Sequence, residues 1–94
     1  MTEVEAKNKI NDAVSVLLGS DSVNIASRKS LNRLEHIVTY TIVFKHDEEK
    51  EIQVVNTVKK LTLTQPDLNF VGSEVNDKFN MEFVAVLVAA TIKK

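Results

Sequence analysis

The residues able to do chemistry in this chain are few and badly spaced for it. His36 and His46 are the two histidines, ten positions apart. On one extended strand that separation is about 30 Å, too far for a shared metal ion or a proton relay. Serines are plentiful, yet neither a G-x-S-x-G elbow nor an S-x-x-K motif is present, and the histidine placement suggests no Ser-His-Asp arrangement. Asp47, Glu48, Glu49 and Glu51 cluster in sequence. A solvated helix start accounts for them better than an acid/base pair, which needs one carboxylate in an apolar environment. Gly19 and Gly72 lie 53 residues apart, so no glycine loop cradles a phosphate. There is no cysteine, which removes both a disulfide framework and thiolate metal ligands. The expectation is a protein that is not an enzyme, with no cofactor, no metal site and no small-molecule substrate.

One basic cluster remains. The stretch SRKSLNR, residues 27–33, places Arg28, Lys29 and Arg33 among hydrogen-bonding Ser27, Ser30 and Asn32, a composition suited to phosphates or an acidic partner surface. No aromatic side chains interleave with it. Twelve Lys and Arg against thirteen Asp and Glu leave a net charge of -1, so there is no general attraction to nucleic acid or to an anionic membrane. The sequence therefore argues against nucleic acid as a partner, and a solvated connection explains most of the cluster.

The elements that would position any site follow from pattern. Ninety-four residues, 44 % apolar and 27 % charged, are the composition of one globular domain over 1–94. Thr2 with Glu5 fits a capping box. Ala6, Ile10, Ala13, Val14 and Leu17 then recur at helical spacing, predicting a helix over 3–18 that Gly19 ends. Val23, Ile25 and Ser27 alternate as in a short strand, with a polar connection after them. HIVTYTIVFK, residues 36–45, is rich in β-branched and aromatic residues at strand length. Residues 47–63 fit either period. As a strand, Ile52, Val54 and Val58 share a face. As a helix, Val54, Val55, Val58 and Leu61 form a stripe, with acids at the start and Lys59 and Lys60 at the end, the order a helix dipole favours. The helix is preferred. Pro66 ends this element. LNFVGSEV (68–75) then reads as a strand with Gly72 marking a bulge or a close approach, and Asn76-Asp77 as a turn before a long final strand. The result is an α+β fold with a mainly antiparallel sheet of about four strands and two helices packed on one face.

The final strand carries the functional expectation. Phe83 to Ala90 is eight consecutive residues without a polar side chain, far short of the roughly 20 needed to span a bilayer as a helix. The start, MTEVEAKNKI, is acidic rather than basic and apolar like a signal peptide. In a strand, Val84, Val86, Val88, Ala90 and Ile92 share one flank, and Phe83, Ala85, Leu87 and Ala89 share the other. Two short helices can cover only one side of a four-stranded sheet. The flank of Phe83, Ala85, Leu87 and Ala89 is therefore expected to be an interface, with a second copy or another protein packing on it or continuing the sheet at its edge. The competing expectation is a strongly curved monomer with residues 20–35 folded over the far side.

VTYTIVF (38–44), EEKEIQVVNTVKKL (48–61) and LNFVGSEVNDKFNMEFVAVLV (68–88) together resemble phage tail-terminator or tail-completion proteins in element order and texture. That resemblance implies rings, often hexameric, that cap the tail tube and join it to the head, with no cofactor and no catalysis, in the host cytoplasm or the virion. If 48–61 is instead a strand, a helix followed by four strands resembles a cystatin-like module, a small monomeric binding scaffold or inhibitor of a host protein. The Q-x-V-x-G loop of true cystatins is absent.

Overall fold

A computed structural model of the chain describes residues 2–19, 22–29, 35–45, 47–76 and 83–93, with backbone only at 27–29, 35, 36, 76, 83 and 91–93. Two helices and four strands follow in the order α1 (Glu3–Leu18), β1 (Val23–Lys29), β2 (Glu35–Lys45), α2 (Glu48–Thr64), β3 (Leu68–Asn76) and β4 (Phe83–Lys93). Every strand pairing is antiparallel. The strands lie side by side as β1-β2-β4-β3, so the fold is α+β and the final strand is inserted into the middle of the sheet.

Each helix starts where a side chain satisfies its orphan amides. Thr2 Oγ1 accepts from the Glu5 backbone N–H at 3.2 Å, and Asp47 Oδ1 accepts from Glu49 and Lys50 N–H at 3.0 and 3.2 Å. Gly19 closes α1 with φ 87° and ψ 175°, a region open essentially to glycine alone. The segment that fits two periods is helical from Glu48 onward. Three features decide it: the Asp47 cap, the acidic first turn of Glu48, Glu49 and Glu51, and the stripe of Val54, Val55, Val58 and Leu61. The condition for the cystatin-like order, a strand over 48–61, is not met.

The core lies between the helices and one face of the sheet. Ala6, Ile10 and Val14 of α1 and Val54 and Val58 of α2 are fully buried. They meet Val38, Tyr40, Ile42 and Phe44 of β2 and Val84, Val86, Val88 and Ala90 of β4, with Val23 and Leu68 from the edge strands. α1 packs on β1 and β2, α2 on β3, and the helices on each other. Lys59 Nζ also sits 5.7 Å from the centre of the Phe70 ring, a cation–π contact between α2 and β3. The shortest dimension of the molecule is 19 Å, the thickness of one helix layer on one sheet layer about 10 Å apart.

β3 is irregular where a glycine marks it. Phe70 pairs with Val88 and Gly72 with Leu87, so Val71 is an extra residue and the strand changes face there. The connection expected from Ser27 onward begins later, because Ser27, Arg28 and Lys29 belong to β1. The reason is their ladder to β2: Ser27 pairs with Val38, Arg28 with Ile37 and Lys29 with His36. Residues 23–29 thus lie in the plane of the sheet rather than over its far side.

Candidate functional site

The second face of the sheet is built from the side chains that alternation turns away from the helices. Three rows cross its middle. Asn24, Thr41, Leu87 and Gly72 stand side by side from β1 to β3; Ala26, Thr39, Ala89 and Asn69 form the row beyond; Val43, Ala85 and Glu74 form the row before. Among the described residues none of these is fully buried, while their chain neighbours on β2 and β4 are. Both helices are on the opposite side, so among the described residues this face is open.

Its chemistry is flat and weakly polar. Ala85, Leu87 and Ala89 run along its middle strand, each part-buried by its neighbours. Thr39 and Thr41 put a methyl and a hydroxyl beside them. The face as a whole is therefore less apolar than β4 alone, because β2 contributes two threonines. Among described side chains its charged groups are Glu74 on the edge strand and Lys45 at the end of β2, both exposed. A shallow depression of about 230 Å³, lined by Gly72, Ser73, Glu74, Ala85 and Leu87, lies beside the central strand.

Of the residues expected at an interface, Ala85, Leu87 and Ala89 share this face, and Phe83 occupies a register position on it, opposite Lys45, with its side chain outside the described residues. Arg28 and Lys29 are adjacent on β1, so alternation assigns them to opposite faces of the sheet; their side chains lie outside the described residues. Arg33 and His46 lie wholly outside them. Among the residues that sequence reasoning missed are Thr39, Thr41, Lys45, Gly72 and Glu74. Their membership depends on β4 lying between β2 and β3, a pairing order that no local pattern encodes.

Elsewhere, a groove of about 270 Å³ runs between α2 and β3, lined by Glu51, Ile52, Val55, Asn56 and Ser73. No group of three or more His, Cys, Asp or Glu side chains converges among the described residues, and no helix among them is long and apolar enough to cross a membrane. No protein-family profile matches the chain, and no curated protein is significantly similar to it.

Proposed function

We propose that this chain is a non-enzymatic assembly protein that works by self-association and protein contact, using the open face of its sheet. The observation that supports this reading is the asymmetry of β4. Val84, Val86, Val88 and Ala90 are sealed under two helices, while Ala85, Leu87 and Ala89 on the same strand have no layer above them among the described residues. A central strand that is apolar on both flanks suits a sheet covered on both sides. Covering the open flank with protein recovers about 25 cal/mol per Å² of apolar surface.

The order helix, two strands, helix, two strands agrees with the resemblance to tail-completion proteins, so a component of a phage head–tail ring is the particular assembly we favour. A second reading, a monomeric binding module, is favoured by the groove between α2 and β3, where Ile52 is exposed at 63 % beside an unpaired strand edge. Sedimentation of wild type and Leu87→Arg tests the first reading. The arginine stays solvated on the open face of a lone copy, so the variant folds. Wild type is expected above 10.5 kDa and the variant at that mass. Equal assembly by both proteins overturns the role of the face.

A further inference from the structure

The open face has a shape that specifies what covers it. Leu87 is the largest described side chain in its middle, with Ala85 and Ala89 before and after it along β4. Across the β3–β4 pairing it faces Gly72, which has no side chain. The depression lined by Gly72, Glu74 and Ala85 opens beside it. A projection and a hollow therefore adjoin on one surface. Such a surface suits a two-fold axis, about which the same patch must serve as both partners.

We propose that the occupant of the open face is a second copy of this chain, packed sheet on sheet about a two-fold axis along β4, with the Leu87 side chains of the two copies meeting at the axis between their two Gly72–Ala85 hollows. The proposal rests on the reading of this face as an assembly surface and adds its occupant and its register.

Area and charge both fit. Four strands of 7, 11, 11 and 9 residues at ~3.3 Å per residue average about 31 Å in length, and at ~4.8 Å spacing they make a face of roughly 600 Å². Two copies then bury up to about 1,200 Å² in total, the lower end of stable specific interfaces. A single helix, about 10 Å wide, covers only half of a face about 19 Å wide; a second sheet covers it all. The middle of the face carries no charge among its described side chains, as interface cores do. Among the described side chains, the two charges at its margins are opposite in sign and lie towards the same end, Lys45 on β2 and Glu74 on β3. An axis along β4 exchanges the β2 and β3 sides and brings Lys45 of each copy towards Glu74 of the other.

The test is Gly72→Val. A Cβ at Gly72 meets nothing within 4 Å, its φ is not positive, and valine suits a strand, so the lone copy tolerates it while the hollow is filled. Sedimentation equilibrium of wild type, Gly72→Val, Leu87→Ala and Leu63→Ser is compared over about 1 to 100 µM. Leu63 is 85 % exposed on α2 and serves as a control remote from the face. Gly72→Val and Leu87→Ala are expected to raise the dimer dissociation constant at least about tenfold, with Leu63→Ser unchanged. A wild type that associates with the same affinity as both face variants overturns the two-fold packing and leaves assembly through other surfaces standing. A wild type monomeric throughout overturns both the packing and the assembly reading.

Discussion

The Tyr40 hydroxyl donates a hydrogen bond to the backbone carbonyl oxygen of Glu3 over 3.4 Å, tying the middle of the sheet to the first turn of α1. Burial, with a smaller contribution from the Glu3 carboxylate, pushes the Tyr40 phenol up to about 12. The fold favours the neutral phenol. Its contribution to stability is therefore complete below the ordinary tyrosine value of about 10 and is lost as pH rises through about 12. Tyr40 is the single tyrosine, so phenolate absorbance reads it directly. The expected midpoint is near 12 in the folded protein, and Tyr40→Phe is expected to lose less stability than wild type between these two pH values.

The helices should be sensitive on one side only. Ile10→Ala empties a fully buried site on α1 and is expected to cost about 2 to 5 kcal/mol in denaturant unfolding. Ile52→Ala removes an isoleucine that is 63 % exposed on α2 and is expected to change stability by less than about 0.5 kcal/mol. Similar losses at both positions would contradict the placement of α2 on the sheet.

The two glycines should behave oppositely. Gly19→Ala forces a side chain into φ 87° and is expected to cost about 1 to 3 kcal/mol. Gly72→Ala meets open space and removes unfolded-state freedom, so thermal unfolding of the dilute monomer is expected to be unchanged or slightly raised.

Asp47 holds two amides at the start of α2. Asp47→Ala is expected to cost about 0.5 to 2 kcal/mol, and Asp47→Asn, which keeps an acceptor oxygen, much less. Unfolding monitored by far-ultraviolet circular dichroism separates the two.

These elements were legible in the sequence because their causes are local. Capping at Thr2, the stripe from Ala6 to Leu17, the β-branched run around Tyr40, the bulge near Gly72 and the two flanks of the last strand are set within a few residues. Residues 47–63 fitted both periods, and the charge order favoured the helix. The composition of the open face was not legible in the same way. Leu87 acquires Thr41 on one side and Gly72 on the other only because β4 inserts between β2 and β3, a long-range pairing. Arg28 and Lys29 read as part of a polar connection because their side chains are polar, whereas their backbone continues the ladder to Ile37 and His36.

The central claim is that one flank of β4 is covered by another protein molecule. Light scattering on the wild-type chain across about 1 to 100 µM tests it most directly. A mass above 10.5 kDa that rises with concentration is the predicted result. A constant mass of 10.5 kDa, with no binding of an apolar dye to an exposed face, would contradict it.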